Sequence, residues 1–527
     1  MKMNSIPSQS KTGINDLTAL IKKELSTDTV FLLLLTLGWG LFMTLIVFIA
    51  SRQYGFHGDE LNLIENGQHL AWGYVEYPPL APFLAHIAFA LFGLSLVGIR
   101  SFSILVVCLV FLLTALMARE LGGSLRAQVV AGLAAVTAPI LLFAGLLFSY
   151  ETFDYLWWVV IAYFMIRLLK SDNPRWWLGI GAAIGLGAMT NYIIGVEIIA
   201  LIAGVIFTPA RRYLKTPWLW AGAALAVLIV SPNLVWQAQH QWIAIRFTSS
   251  IHARDMSIGR TSLLAFLPYQ LLACTNIAAI ALWITGFWYY ARRPEGQGYR
   301  ALAWMAAVPF IFFLIFQGRY YYPAPIYPML IAAGSCQVES RLAGLSGRRL
   351  ARQRSLQYGS LAVISLLLMA VTWPIAPVNS ALGRVENTAN SNYREEIGWR
   401  QLAQTIAGIR SSLPVSEQAG VGVLTDSYGE TAAVDLYGPV YHLPAALSGI
   451  NTYWLRGYGN PLTQTLIAVG FSPQTLSKIF QSCQAAGAIS NRFNLPNDET
   501  RNNSVIYICR DLRYPWPQFW KYFQYFG

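Results

Sequence analysis

The chain has 527 residues, of which 55% are hydrophobic and 12% charged, with a formal net charge of +12. Soluble proteins carry about a quarter charged residues, so the composition excludes an ordinary soluble enzyme and puts most of the chain in the membrane class. The positive balance does not mark a nucleic-acid binder. No zinc-finger, helix-turn-helix or RNP-like pattern occurs, and the Lys and Arg excess sits in short turns between apolar runs, where it sets orientation.

After Lys22 and Lys23 the first apolar run covers 29–50. It is too long for a signal-peptide core, and Phe48 spoils the small-residue cleavage pattern before Ser51. It therefore reads as a retained span, with 1–28 as a cytoplasmic N-terminal segment. Further runs follow at 95–118, 127–147, 153–169, 177–190, 193–207, 218–236, 262–289, 301–316, 324–337 and 358–373. A span needs about 20 apolar residues, and the shorter runs need interfacial flanks or local bilayer thinning. The expectation is a polytopic α-helical membrane protein with about eleven transmembrane helices over 29–378. Alternate turns hold Arg119 and Arg126, Lys170 and Arg175, Arg211 to Lys215, Arg292 to Arg300, and Arg341 to Arg354. The positive-inside rule makes those turns cytoplasmic. Arg175 and Arg211 then share one side, so the stretch between them must cross twice.

Within 51–94, residues 59–72 and 79–92 have helical periodicity but are too short and polar to span. They read as two juxtamembrane helices in the interface, separated by Tyr77-Pro78-Pro79, since the residue before a proline leaves the helical region. From Asn379 onward polar residues return, and 379–527 reads as an extracytoplasmic α/β domain. Its helix-like stretches are 395–410, 429–437 and 473–481; its strand-like ones are 421–425, 485–489 and 505–510. Cys108, Cys274 and Cys336 lie in apolar runs as small core residues. Cys483 and Cys509 are either a disulfide or two buried thiols, and a bridge needs Cα atoms within about 7 Å.

Acids at membrane depth are expensive, so their placement is informative. Asp59, Glu60, Glu65, Glu76, Glu151 and Asp154 gather at one membrane face, and Glu197 is the acid inside a run. Such a site suits a substrate with its tail in lipid and its headgroup in water. Asp59 and Glu60 open the first juxtamembrane helix, either as a cap with a first-turn acid or as a general base. Neighbours on a helix point about 100° apart, so one of the two is the principal base. Asp154 carries the same two readings. Arg319, followed by Tyr320, Tyr321 and Tyr322, is either a ligand for a lipid phosphate or an interfacial anchor in an aromatic belt. His240, Arg246, His252, Arg254 and Asp255 in the loop 237–261 are further candidates for lining the site. Their spacing is not a specific metal pattern. No cofactor is required by the sequence, and a divalent metal stays open.

Phe56-His57-Gly58-Asp59-Glu60-Leu61, His69-Leu70-Ala71-Trp72-Gly73-Tyr74 and Tyr77-Pro78-Pro79-Leu80 resemble the first external loop of bacterial dolichyl-phosphate-mannose-protein mannosyltransferase-like membrane glycosyltransferases. These belong to the glycosyltransferase C superfamily, with the protein O-mannosyltransferases and the lipid A aminoarabinose transferases. The likeness continues through Ala118–Gly123, Thr152-Phe153-Asp154, the segment from Pro232 to Gln237, Arg319-Tyr320-Tyr321 with Pro328, Asp426–Glu430 and Asn451–Trp454. The resemblance implies an inverting transferase in the bacterial inner membrane. It would move a sugar from a polyprenyl-phosphate carrier to an envelope glycolipid, polysaccharide or protein. It makes Asp59 the catalytic acid and Asp154 the second acid, with His57 and Tyr77 among the substrate contacts. Many relatives carry a Lys near the external end of the fifth span where this chain has Asn191-Tyr192; if that Lys holds the carrier phosphate, another cation must do so here, and Arg319 or an Arg of the long loop could serve. The competing class is a transporter or flippase for a lipid-linked sugar, which would show repeated halves and midplane polar residues.

Overall fold

The computed structural model describes residues 27–459 and 463–527. The expected cytoplasmic segment 1–28 therefore lies almost wholly outside the described residues.

Every apolar run is helical, but not every run is long enough to be a span on its own. Six helices meet the length and apolarity of a crossing: Thr27–Ala50, Leu96–Glu120, Tyr150–Ser171, Pro217–Gln239, Pro294–Ile315 and Gly347–Thr372. Two bent pairs raise the number to eight at most: Ile194–Ile206 with Pro209–Lys215, turned by 100°, and Leu263–Leu272 with Ile277–Arg292, turned by 88°. The expectation of about eleven is thus larger than the described helices support by length and composition. The shortfall has local causes. The run 127–147 splits into Leu125–Val136 and Pro139–Ala144, because Ala138 is extended ahead of Pro139. Trp176–Ala188 has 13 residues, or about 20 Å of helix. Within 262–289 the chain breaks at Asn276, whose side chain caps the next turn and donates to Thr137 and Ser365, satisfying polar groups inside the bundle.

The two ends of the bundle differ chemically. Helix Leu96–Glu120 carries Arg100 in its second turn and ends at Glu120, which pairs with Arg167 at 2.7 Å and Lys170 at 2.9 Å. Helix Tyr150–Ser171 runs the same way, from Asp154 to Lys170. Arg212 and Asp172 add a pair at the basic end.

The two short helices of the first loop are present as Gly58–Gln68 and Leu80–Phe92. Gly67 lets them cross closely, since a Cβ there would lie 2.8 Å from the Pro82 carbonyl oxygen.

The C-terminal part contains helices Trp399–Ser412, Tyr428–Tyr437 and Pro473–Ile479. Its sheet has strands β1 (Gly422–Thr425), β2 (Ala446–Leu447), β3 (Thr465–Val469), β4 (Phe480–Ala488) and β5 (Val505–Leu512), in the order β2-β1-β3-β5-β4. β1 runs parallel to β2 and β3, and β5 antiparallel to β3 and β4. β3 is buried along its whole length, so it has no polar alternation to mark it as a strand. Cys483 and Cys509 face each other in the β4–β5 ladder and are disulfide-bonded, with Cα atoms 4.1 Å apart. The apolar core is continuous from the helical bundle through Trp399, Leu402 and Ile406 to Val423 and Ile467.

Candidate active site

The helix carrying Asp59 is capped by its predecessor. His57 is extended, its Nδ1 accepts the Asp59 amide at 3.1 Å, and Glu60 returns to accept the His57 amide at 2.9 Å, a complete capping box. The expected cap at Asp59 is therefore filled by His57. This leaves the Asp59 carboxylate 47% exposed. Its Oδ1 accepts the Tyr428 hydroxyl at 2.7 Å, and the carboxylate charge holds that phenol well above the ordinary tyrosine range. Oδ2 lies 3.4 Å from His57 Nδ1. That nitrogen already spends its lone pair on the amide, so it carries no proton to donate.

Glu60 points the other way, as helical geometry requires. It is fully buried and receives four donors: Arg100 Nε and the Phe148 amide at Oε1, Arg100 Nη2 and the His57 amide at Oε2. Glu396 closes on the same guanidinium at 3.2 Å. Glu60 thus holds the loop to the bundle and is far from acting as an exposed base.

The remaining first-loop acids are tied to the C-terminal part. Glu65 accepts Arg456 at 2.6 Å, and Arg456 also bonds Asn66. Glu76 accepts the Thr452 hydroxyl, and burial pushes its carboxyl up. Tyr77, a predicted substrate contact, is 3% exposed. Its hydroxyl accepts Asn66, and its ring packs between Tyr74 and Tyr150.

Asp154 is buried one turn into its helix, where Ser149 is the cap. Among the described residues its Oδ1 has no hydrogen-bond partner, and neither does Oε2 of buried Glu197, whose charge environment includes Asp154. Asn191 is buried, its oxygen accepting the Ile193 amide and its Nδ2 unpartnered among the described residues. Beside it, Tyr192 joins Asn233 and Gln237, and Asn233 donates to the Trp72 carbonyl. A groove of about 360 Å³ opens there between Trp72 and Ser231, Pro232, Val235, Trp236 and Gln239.

Arg319 is engaged rather than free. Its Nε donates to Asp255 at 2.6 Å and its Nη1 to the Tyr321 hydroxyl at 3.0 Å, while Nη2 makes no hydrogen bond among the described residues. Tyr320 stacks on Tyr269 with ring centroids 4.4 Å apart. Glu151, at the start of helix Tyr150–Ser171, is within electrostatic reach of both Arg319 and Asp59. The loop 237–261 forms helix Ile243–Ser257, on which Arg246, His252 and Arg254 are exposed. Arg254 acts on Tyr428. His240 instead stacks on Trp236 at 3.9 Å. No group of three or more His, Cys, Asp or Glu among the described residues is arranged to hold a metal ion.

Four residues of this region are absent from the sequence-based candidates: Arg100, Glu396, Arg456 and Tyr428. Arg100 carries a signal, a lone guanidinium inside an apolar run, which is costly unless paired. The others are separated from the first loop by more than three hundred residues; Tyr428 lies within the Asp426–Glu430 segment of the family likeness, but nothing in that segment points to Asp59.

Residues 76–236 match the family model described as dolichyl-phosphate-mannose-protein mannosyltransferase. That span includes Asp154 and Asn191 and begins after Asp59. No curated protein sequence matches the chain. Two crystal structures of ArnT from Cupriavidus metallidurans are similar in fold. The one bound to undecaprenyl phosphate gives a TM-score of 0.55 at 16% identity, covering 90% of this chain and 97% of that one. The apo form gives 0.54 at 17% identity, covering 92% and 98%. A cryo-EM structure of a mutant arabinofuranosyltransferase AftD from mycobacteria gives 0.51 at 14% identity, over 90% of this chain and 41% of that one. At such identities the likeness is one of fold. The family match is confined to residues 76–236, and the likeness to ArnT extends a shared fold over most of the chain.

Proposed function

We propose that the chain is an inverting membrane glycosyltransferase that moves a sugar from a polyprenyl-phosphate carrier to an extracytoplasmic glycolipid, polysaccharide or protein, with Asp59 as the general base. The observation that carries this reading is the contrast among the first-loop acids. Glu60 and Glu65 are buried, Glu76 is half-buried, and all three are engaged, whereas Asp59 is half exposed with one carboxylate oxygen free of a hydrogen bond among the described residues. The acceptor O–H gives its proton to Asp59 Oδ2 as its oxygen attacks the anomeric carbon. The bond from that carbon to the phosphate oxygen breaks on the opposite face, and the electron pair leaves with the carrier phosphate. One displacement inverts the centre. The departing anion needs charge neutralisation, for which Arg319 Nη2, with Tyr320 and Tyr321 beside it in the chain, and Arg246 and Arg254 are the candidate groups. Asp154, with its unpartnered oxygen, is the candidate for balancing positive charge that develops on the sugar.

The same reading sets the orientation. The Arg- and Lys-rich end is cytoplasmic by the positive-inside rule, which leaves Asp59 and residues 379–527 outside. A disulfide in that part suits an oxidising compartment. The bound undecaprenyl phosphate of the ArnT structure supports a carrier of this class.

The test is transfer from a labelled polyprenyl-phosphate sugar in proteoliposomes. Asp59→Asn is expected to lower turnover by about 10²- to 10⁴-fold while donor binding changes far less. A folded Asp59→Asn protein with full activity would overturn the base assignment.

A further inference from the structure

Tyr428 reaches Asp59 from 369 residues away, and its own placement is heavily constrained. It opens helix Tyr428–Tyr437, where Ser427 and Glu430 form a capping box and Glu430 also accepts the Asp426 amide. Just before it, the Asp426 carbonyl accepts the Tyr525 hydroxyl at 2.7 Å. The next residue, Gly429, meets Gly58 backbone to backbone. A Cβ on Gly429 would lie 2.7 Å from the Trp399 ring and 3.4 Å from the Gly58 Cα. The start of the Asp59 helix and the start of the Tyr428 helix are therefore held against each other by main chain, without an intervening flexible side chain.

A carboxylate rotates about its Cβ–Cγ bond, and a base on a half-exposed side chain loses efficiency to that rotation. Here the Tyr428 hydrogen bond fixes Oδ1, and with it the plane of the group and the direction of Oδ2. His57 cannot substitute, because its Nδ1 accepts the Asp59 amide. We propose that Tyr428 is a positioning residue for the transfer reaction, and that the C-terminal part completes the site by orienting the Asp59 carboxylate. This inference rests on the reading of Asp59 as the base.

The experiment uses the full chain in proteoliposomes with a labelled polyprenyl-phosphate sugar. Turnover, donor KM and Tm are measured for the wild type, Asp59→Asn, Tyr428→Phe, Tyr428→Gln and the Asp59→Asn/Tyr428→Phe double variant. Tyr441→Phe, whose hydroxyl accepts Gln404, is the control. Tyr428→Phe is expected to lower kcat by about 10- to 100-fold, the scale of a misaligned reacting group. Donor KM and Tm should stay close to wild type, and Tyr428→Gln, which keeps a donor, should recover part of the loss. In the Asp59→Asn background Tyr428→Phe should cost nothing further, because its effect passes through Asp59. Should that background be too slow to measure, the split between kcat and KM decides alone. A kcat for Tyr428→Phe within about twofold of wild type, a further loss in the double variant, or failure of both Tyr428 variants to fold would each overturn the proposal. An active Asp59→Asn would instead bring down the base assignment, so the two failures are distinguishable.

Discussion

Arg319 and Asp255 are joined by a 2.6 Å ion pair that ties the turn 317–323 to helix Ile243–Ser257. Asp255 is 3% exposed, and its other cation, Arg260, is 3.6 Å away. The pair supports the loop, and the proposed phosphate contact would use the same guanidinium, so the two roles must be separated experimentally.

Arg319→Ala alone would leave buried Asp255 with only the longer Arg260 contact, at a cost of up to about 3–5 kcal/mol, and so confound binding with folding. The double variant Arg319→Ala/Asp255→Asn removes that charge. It is expected to recover the Tm lost by the single variant while donor KM stays raised by about tenfold or more, the worth of a charge-assisted contact. Wild-type donor KM in the double variant would make Arg319 an anchor of the turn and nothing else.

Glu60→Gln should act on stability more than on chemistry. A Gln amide would turn an NH₂ toward donors that now all find acceptors. Glu396 can ionise beside Arg100 in its place, so the loss falls at or below about 3 kcal/mol. The variant is expected to melt earlier, with turnover per folded molecule reduced by less than about tenfold. A stable but inactive Glu60→Gln would return Glu60 to the list of bases.

Stability should depend on pH through Glu396. Burial pushes its carboxyl up to about 8, against the pull of Arg100 and with a further push from Glu60. The folded value thus lies above the ordinary 4.5, and the native state keeps a proton that the unfolded chain has released. Stability from this group is complete below about pH 4.5 and declines as pH rises toward 8. Glu396→Gln has no proton to lose and should flatten that decline, matching wild type at low pH and melting at or above it at pH 8 and beyond. A melt series across pH in which the variant declines more steeply would contradict this.

The Cys483–Cys509 bridge closes a loop with a sequence separation of 26. Replacing both by Ser is expected to cost about 2–4 kcal/mol, and reducing the wild type should lower its Tm similarly. Identical melts before and after reduction would mean that the bridge adds nothing to stability.

Helical periodicity, apolar run length and turn residues are properties of short stretches, and through them the sequence by itself determined most of the local architecture. The apolar runs are helical, the first-loop helices start and stop within a few residues of 59–72 and 79–92, and β4 and β5 occur near 485–489 and 505–510. The acids around Asp59 are visible too, because ionisable groups are rare in such a composition. Span number is less legible, since breaks at Ala138-Pro139 and Asn276 shorten runs that look continuous. What sorted the acids into roles was decided by tertiary packing alone. Arg100 and Glu396 lock Glu60, Arg456 locks Glu65, Thr452 locks Glu76, and Tyr428 reaches the one that stays half exposed. Each of these partners but Arg100 lies more than three hundred residues along the chain from its acid. No local pattern encodes a hydrogen bond between two surfaces that meet only when the C-terminal part folds against the first loop.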